Sequence, residues 1–351
     1  SLHDALPIWS ETTLAEVLKD EGYGTAHFGK WHLGMPVNGR NNPTPSDHGF
    51  DYWFGLVNGA HPSHKNPTNF LRNGKPVGPM KGYSCQLVVD EAIDWIDKHG
   101  TNAPFFINIW FNEPHAIIAA PDEIVSEYGA LNDQAAIYNG TIDNTDRAVG
   151  RLVAKLKELG ELDNTIFVLL ADNGASQEGG PFGVMHEMKF FNGILETPDE
   201  AIDRIDDIGG PHSHTNYPWG WAQCGNSPFR WYKQNTHEGG VHVPLIVRWP
   251  AEFAAQSGTQ RDQFVSVSDI TPTILDLLGI EAPSVFEGVE QLPVTGHSFA
   301  DILRDADAPA ANTLQYFENN GSRALITERN GEWWKAVTKH NQGDDFDTEP
   351  W

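Results

Sequence analysis

Lysine and histidine stand two positions apart in GTAHFGKWHLG (residues 24–34), where a short strand-like run reaches a glycine-containing loop. Residues two apart in an extended chain point to the same side, so Lys30 and His32 would present two cationic groups together. Such groups bind anionic oxygens through charge-assisted hydrogen bonds. Taken alone, the pair fits a solvated strand end as well as it fits an anion-binding site.

Similar polar groups stand near the ends of three further apolar runs. His115 ends FNEPH, Asp172 and Asn173 lie in ADNG, and Lys233 lies in RWYKQNTHEGG. Singly, they are explained as a loop histidine, a turn and a solvent-exposed lysine. Together, they offer two lysines and two histidines to an anion and two oxygen ligands to a hard cation. Aspartate and asparagine without cysteine favour Ca²⁺ or Mg²⁺ over zinc.

The apolar runs that carry these groups have the length of strands. PFFINIWF (104–111), TIFVLL and VPLIVRWP (243–250) are typical of strands buried on both faces, and TAHFGK predicts another. In an open α/β sheet, ligands bind beyond the carboxyl ends of the strands, where the candidate groups lie. Residues 35–82 are rich in Asn, Pro, Gly and His, and we expect them to form a long loop.

Helical patterns separate these runs. The capping box TLAE at residues 13–16 predicts a helix that ends near Gly22. Apolar residues at helical spacing predict two longer helices, over residues 84–99 and 134–159. SDITPTILDLLG predicts one more, with Ser268 as its N-cap.

The alternation of strands and helices predicts an α/β fold: a doubly wound, mostly parallel sheet flanked by helices. We assign residues 1–305 to this domain. Residues 306–351 are expected to begin a smaller antiparallel β unit, because RALITERNGEWWKAVTKH alternates with period two around Asn330 and Gly331.

Composition excludes several classes of partner. The formal net charge of −25 argues against nucleic acid and anionic membranes as partners. No apolar run has the length of a membrane span, and no signal peptide is visible. The two cysteines, Cys85 and Cys224, predict no disulfide framework, and we expect both to be buried thiols.

Several of these motifs, in this order, resemble the sulfatase family of the alkaline phosphatase superfamily, especially bacterial arylsulfatases. The resemblance rests on TLAEVLKDEGYGTAHFGKWHLG, DNTIFVLLADNGAS and NSPFRWYKQNTHEGGVHVPLIVRWP, and it extends from about residue 12 to 351. It implies that Lys30 and His32 bind the sulfate and the nucleophile. It further implies that His115 and Lys233 hold sulfate oxygens and assist the leaving group.

The resemblance also implies cofactors. Asp172 and Asn173 correspond to ligands of Ca²⁺. The family uses a formylglycine nucleophile, made by a maturation enzyme from Cys or Ser in a C/S-x-P-S-R motif, and a paired Asp-Asp metal motif on its first strand. In the family both motifs precede the segment that GTAHFGKWHLG resembles, and neither occurs before that segment in this sequence. We therefore expect a fragment cut at both ends, with SLHDALPI as an artefact and with little or no sulfatase turnover.

The expected activity of the full-length protein is hydrolysis of sulfate monoesters of small molecules or glycans. Two alternatives stay open: a phosphomonoester or phosphonate ester hydrolase of the same superfamily, and a noncatalytic relative that binds sulfated ligands. Residues 35–82 and 196–226 are expected to shape the pocket. Solvated or packing roles are expected for five residues of these segments: His64, His212, His214, Trp219 and Trp221. The resemblance favours a periplasmic or secreted location over a cytoplasmic one.

Overall fold

The computed structural model describes residues 11–34, 42–131, 133–194, 196–208 and 212–340. SLHDALPI and the first residues of the expected long loop, 35–41, lie outside the described residues. The helices are α1 (Leu14–Asp20), α2 (Ser84–His99), α3 (Asp122–Glu127), α4 (Asp133–Glu158), α5 (Glu187–Phe191), α6 (Pro198–Ile202), α7 (Trp219–Gly225), α8 (Glu238–Val241), α9 (Pro250–Phe253), α10 (Ile270–Leu278) and α11 (Ala300–Arg304). The strands are β1 (Gly24–Lys30), β2 (Tyr52–Leu56), β3 (Leu71–Arg72), β4 (Lys75–Pro76), β5 (Phe105–Trp110), β6 (Phe167–Leu170), β7 (Leu245–Arg248), β8 (Val285–Phe286), β9 (Val289–Glu290), β10 (Leu314–Asn319), β11 (Ser322–Arg329) and β12 (Glu332–Thr338).

The largest sheet has the strand order β4-β3-β2-β1-β5. Strand β1 pairs in parallel with both β2 and β5, while β3 and β4 form an antiparallel edge. With its helices and a small C-terminal antiparallel sheet, this architecture confirms the predicted α/β class. Parallel pairing brings the carboxyl ends of β1 and β5 to the same edge of the sheet.

Apolar side chains cover this sheet on both faces. On one face, Phe28 and Phe54 form a buried cluster with Val88 of α2, and the opposite side of α2 packs against α4. On the other face, Trp31 and Trp53 form a second cluster with Ala15 of α1 and other residues. The alternation along β1 therefore sends its side chains into two separate cores.

The long loop predicted over residues 35–82 is wrong, because it contains strand β2 of the main sheet. The segment YWFGL of β2 is apolar and aromatic, and Trp53, Phe54 and Leu56 are each at most 1% exposed. This short apolar segment is surrounded by Asn, Pro and Gly residues, and those residues led to the prediction of a loop. Burial between two helical layers, rather than local spacing, makes this segment a strand.

Strands β6 and β7 also differ from expectation. They pair antiparallel with each other, as a two-stranded sheet apart from the main one. Leu169 and Leu170 of β6 are each 38% exposed, so this strand is not buried on both faces as predicted. The sequence could not show this, because an apolar run carries no information about strand direction or covering elements.

Most local predictions are confirmed and two are corrected. Thr13 caps α1 in a full capping box, and β11 and β12 form the predicted hairpin through Asn330 and Gly331. Ser268 does not cap α10: it lies inside a 3₁₀ turn, for which Ser266 forms the capping box. Cys85 is buried, but Cys224 is exposed because it lies on the solvent side of α7. The domain boundary at residue 305 stays a prediction.

Across the described ranges, none of the helices combines the length and the apolar character that a membrane crossing requires.

The buried residue His27 leads to a prediction about acid stability. Its side chain is fully buried against Trp31, Phe50 and Trp110, and this burial lowers its pKa to about 3. Unfolded His27 takes up a proton near pH 6.5, while the folded residue stays neutral until about pH 3. The unfolded state thus binds more protons in this range, and stability falls by about 1.4 kcal/mol per pH unit as the pH drops.

We expect His27→Phe to remove this contribution between pH 6 and pH 4. Urea denaturation at several pH values measures it as a shallower slope of unfolding free energy against pH. Substitution of the exposed His212 by Phe is the control and should keep the wild-type slope. An unchanged slope in His27→Phe would contradict the prediction.

Candidate active site

Strands β1 and β5 position two of the candidate groups at one edge of the main sheet. Lys30 is the last residue of β1, and His115 follows five residues after the end of β5. Gly29 allows β1 to approach β5 closely: its φ is +100°, and a Cβ at this position would lie 2.0 Å from the carbonyl oxygen of Trp110. A side chain at this glycine would therefore displace Lys30.

The charge of Lys30 interacts with groups from three other segments. Burial lowers the pKa of this half-buried lysine, and the positive charge of Lys233 lowers it further. The carboxylates of Asp172, Glu178 and Glu187 act in the opposite direction. These interactions place the lysines of two distant segments, together with Asp172 after β6, in one site.

His32 reaches this site by a different geometry from the one predicted. It lies beyond the end of β1 and has a positive φ of 50°, so the rule for extended residues does not apply to it. Its backbone N–H donates to the carbonyl oxygen of Val57 at 2.7 Å, which holds the turn. Burial lowers the pKa of His32, and Lys30, His115 and Lys233 lower it further.

A buried polar network fixes the backbone at His115. The carbonyl oxygen of His115 accepts a hydrogen bond from Nε2 of His64 at 2.7 Å, and Nδ1 of His64 contacts Oγ of Ser84 at 2.8 Å. The Ser84 hydroxyl and the backbone N–H of Cys85 both donate to Oε1 of Glu113. Helix α2 thus holds the loop that carries His115, in agreement with the packing role expected for His64.

Glu178, which the sequence did not single out, joins His115 and Lys233. Its carboxylate lies 3.1 Å from Nζ of Lys233 and 3.9 Å from Nε2 of His115, and its side chain is 7% exposed. Ser176 and Gln234 donate further hydrogen bonds to it, at 2.8 and 3.3 Å. Burial is the main cause that lowers the pKa of His115, followed by Lys233 and Lys30, whereas Glu178 raises it.

Glu187 is a second carboxylate at the site, and no pattern in the sequence indicated it. Nε2 of His214 lies 2.9 Å from its Oε1, and Nδ2 of Asn216 donates to its Oε2 at 3.1 Å. Burial alone would raise the pKa of Glu187, but the hydrogen bond from His214 and the charges of His214 and His115 lower it. The charged partners of both glutamates, namely His115, Lys233 and His214, are distant in sequence, and so local patterns could not reveal them.

Asp172 and Asn173 supply oxygen atoms suited to a hard cation. Asp172 is exposed and Asn173 is half-buried, and neither side chain hydrogen-bonds to another described residue. Two such donors are fewer than the six to eight oxygens that Ca²⁺ takes. Among the described residues, no cluster of three or more His, Cys, Asp or Glu side chains is arranged to hold a metal. The described residues therefore supply at most two side-chain ligands at this position, and the cation stays a prediction.

The position of Glu178 predicts the ionisation of His115. Glu178→Gln removes the negative charge next to His115 but keeps a side chain of the same size. We expect the pKa of His115 to fall, because a negative charge that raises it is removed while the lowering effects of burial and the two lysines remain.

Histidine NMR titration, with the His115 signal assigned through His115→Gln, measures this change. Substitution of the exposed Glu252 by Gln is the matched control. An unchanged His115 titration in Glu178→Gln would show that the two side chains are not electrostatically coupled.

The comparisons with known proteins agree on one family. The sequence profile described as Sulfatase matches residues 6–280. The uncharacterized sulfatase YdeN of Escherichia coli (strain K12) is 30% identical over 314 residues, covering 83% of this chain and 48% of that protein. The arylsulfatase of Klebsiella aerogenes is 26% identical over 352 residues, covering 83% of this chain and 73% of that protein.

The N-acetylgalactosamine-6-sulfatase of Mus musculus is 30% identical over 302 residues, covering 81% of this chain and 48% of that protein. The chain thus spans about half the length of the Escherichia coli and mouse relatives.

Solved structures show the same fold. The crystal structure of Ps i-CgsB in complex with k-i-k-neocarrahexaose has a TM-score of 0.62 and 21% identity, covering 95% of this chain and 70% of that one. The phosphonate monoester hydrolase of Agrobacterium radiobacter has a TM-score of 0.53 and 15% identity, covering 93% and 71% of the two chains. Since the profile covers most of the sequence and the fold agrees, the chain belongs to the sulfatase family.

Proposed function

We propose that this chain carries the sulfate-binding part of a sulfuric ester hydrolase that cleaves sulfate monoesters. The observation that supports it is the convergence of Lys30, Lys233 and His115, with their charges acting on one another at the edge of the main sheet. A partly buried lysine whose pKa is lowered by a second positive charge, as that of Lys30 is, is stabilised when an anion binds beside it.

Each group has a role that its position supports. The ammonium groups of Lys30 and Lys233 bind sulfate oxygens and stabilise the charge on the transferring group. His115, when protonated, donates a proton to the oxygen of the departing alcohol as the sulfur–oxygen bond breaks. His32, whose side chain is exposed, would contact the attacking group. Glu178 holds Lys233 in place and raises the pKa of His115 against the lowering effects of burial and the two lysines.

Two further groups complete the proposal. A formylglycine, produced by a maturation enzyme, would supply the attacking oxygen. The 351 residues contain no C/S-x-P-S-R motif, so this chain alone is expected to bind sulfate esters without turning them over. Ca²⁺, held in part by Asp172 and Asn173, would neutralise charge on the bound sulfate. A periplasmic or secreted location is proposed on the resemblance alone.

The charge balance bears on the alternative substrates. Three carboxylates, from Asp172, Glu178 and Glu187, offset the two lysines and His115. A bound Ca²⁺ would add two positive charges, so charge alone does not separate a sulfate monoanion from a phosphate dianion here. Phosphonate monoesters are also monoanions, and the structural likeness to a phosphonate monoester hydrolase keeps them as the second candidate.

The proposal predicts sulfate binding that depends on Lys30. We expect Lys30→Ala to weaken binding of 4-nitrophenyl sulfate about tenfold or more, because a hydrogen bond to a charged group contributes roughly 1.5–3 kcal/mol. NMR titration of the 351-residue chain with this ester, in the presence of Ca²⁺, measures the dissociation constant.

Replacement of the exposed Lys157 on α4 by Ala is the control for overall charge. Equal affinity of wild type and Lys30→Ala would overturn the proposed sulfate site, and stronger binding of a phosphonate monoester would favour the second candidate.

Cation binding is predicted to depend on Asp172. Its exposed carboxylate is available as a ligand, so Asp172→Ala should weaken Ca²⁺ binding measured by isothermal titration calorimetry. Substitution of the exposed Asp262 by Ala, away from the site, is the control. Equal Ca²⁺ affinity in wild type and Asp172→Ala would remove Asp172 from the proposed cation site.

A further inference from the structure

The Lys233 loop, residues 230–240, has an unusual backbone conformation on both sides of Lys233. Trp231 has a φ of +65° and Gln234 a φ of +69°. Residues other than glycine rarely adopt a positive φ, because the Cβ atom then crowds the backbone. Such conformations persist only where the surrounding structure holds them. The position of Lys233 therefore depends on contacts between its loop and other parts of the chain.

On one side, the Lys233 loop packs against the segment 172–175, which carries the candidate cation ligands. The backbone N–H of Lys233 donates to the carbonyl oxygen of Ala175 at 2.9 Å. The backbone N–H of Gly174 donates to the carbonyl oxygen of Gly240 at 3.1 Å. These two bonds hold the middle and the end of the loop against the site.

On the other side, two lysines of the C-terminal sheet contact the loop before and after Lys233. Nζ of Lys335 on β12 lies 2.5 Å from Oε1 of Glu238. Nζ of Lys339, which follows β12, lies 4.1 Å from the centre of the Trp231 ring. Trp231 precedes Lys233 by two residues, and Glu238 follows it by five. The C-terminal sheet therefore holds the Lys233 loop at both ends.

The ion pair of Lys335 and Glu238 is partly shielded from solvent. The side chain of Lys335 is 15% exposed and that of Glu238 is 36% exposed. Burial alone would raise the pKa of Glu238, but Lys335 and His242 lower it through hydrogen bonds and charge. Partly buried pairs are screened less by salt than pairs at the surface. Loss of Lys335 would thus leave this carboxylate without the cation that lowers its pKa most.

The second contact acts on the left-handed residue Trp231. Its backbone N–H donates to Oε1 of Gln223 at 2.9 Å, and its carbonyl oxygen accepts from Nδ2 of Asn226 at 3.0 Å. Its ring lies close to two cations, with Cζ of Arg230 5.7 Å from the ring centre and the ammonium group of Lys339 nearer. Cation–π contacts of this kind are attractive. They hold the ring while the hydrogen bonds hold the backbone.

The conformation of the loop determines what the Lys233 side chain can reach. Its Nζ lies 3.1 Å from the carboxylate of Glu178, and its charge lowers the pKa of Lys30. Groups that bind a ligand must be held within about 0.5 Å of their productive positions. A shift of the loop would therefore move the ammonium group of Lys233 away from the anion site.

We propose that Lys335 and Lys339 of the C-terminal sheet are positioning residues for Lys233, and hold its loop in the anion-binding conformation. Neither lysine contacts the anion: Lys335 acts through Glu238, and Lys339 acts through Trp231. This deepens the proposed function and rests on it for the anion that Lys233 binds. The C-terminal sheet is thereby part of the anion site, although it contributes no side chain that binds sulfate.

The first test measures binding of inorganic sulfate to the 351-residue chain in Ca²⁺ buffer by NMR titration. We expect Lys335→Met and Lys339→Met each to weaken binding about threefold or more, as is typical of coupled contacts. Lys335→Arg keeps the ion pair and should keep the wild-type affinity. Lys157→Met, at an exposed position on α4, controls for the lost charge.

Glu238→Gln separates positioning from a general effect of charge. Removal of a negative charge would by itself favour an anion, so a charge effect alone predicts tighter sulfate binding. Positioning predicts weaker binding, because the loop loses its contact with Lys335. Glu252→Gln, at an exposed position, is the matched control. Sulfate binding that is unchanged or tighter in Glu238→Gln would overturn the role of Lys335.

A double-mutant cycle tests whether Lys335 acts through Lys233. In a Lys233→Ala background, Lys335→Met should have no further effect on sulfate affinity. A loss of overall stability would weaken binding in both backgrounds, and thermal denaturation of each variant measures that loss. An equal effect of Lys335→Met in the two backgrounds would overturn the proposal.

Amide hydrogen exchange reads the loop without any anion. The backbone N–H of Lys233 and that of Gly239, which donates to Arg230 at 2.9 Å, should exchange about tenfold faster in Lys335→Met. The N–H of Phe28, in the middle of β1, is the internal control and should not change.

The outcomes keep this inference apart from the proposed function. If wild type binds no sulfate, the proposed function fails, while faster exchange at Lys233 still supports the role of the C-terminal sheet in holding the loop. If wild type binds sulfate and Lys335→Met binds it equally well, the proposed function stands and the positioning role is overturned. Unchanged exchange at Lys233 in Lys335→Met would also overturn it.

Discussion

The mutual repulsion of Lys30 and Lys233 is the interaction on which the site depends. Burial and the second lysine both lower the pKa of Lys30, so the site without an anion holds cations that are poorly solvated. Such an arrangement persists only when the surrounding structure holds it. The carboxylates of Glu178 and Glu187 supply part of this support, and the backbone of the sheet supplies the rest.

The support is distributed over elements that are distant in sequence. Strand β1 ends at Lys30 and is held between β2 and β5 by parallel pairing. The network of His64, Ser84 and Glu113 ties the loop after β5 to helix α2. Because every polar group of that network is buried, removing one would leave the others unsatisfied. The position of His115 is therefore determined by the core rather than by its own loop.

The elements that could be predicted from the sequence are those whose signals are local. Thr13 with Glu16 forms a capping box, residues 84–99 have a helical repeat, and Asn330 with Gly331 forms a hairpin turn. In each of these, residues within a few positions of one another determine the structure. The candidate cations could be named for a related reason: they follow or precede apolar runs whose ends mark the edge of a sheet.

The features that could not be predicted depend on long-range contacts. The segment of β2 forms a strand because it pairs with β1. Its own five residues are surrounded by residues that favour loops, so the local sequence does not indicate a strand. Glu178 and Glu187 acquire their importance from His115, Lys233 and His214, none of which is a near neighbour in sequence. The left-handed conformation of His32 likewise follows from a backbone contact with Val57. Periodicity contains no information of this kind.

Glu178 connects Lys233 to Gln234, and this limits how the two residues can vary. Its carboxylate accepts from Lys233 on one side and from Gln234 on the other, so a change that moves the glutamine also moves the charge beside the lysine. A shift of Gln234 would therefore act on a carboxylate that raises the pKa of His115. Because the same carboxylate contacts Lys233, one side chain affects both a cation of the anion site and the candidate proton donor.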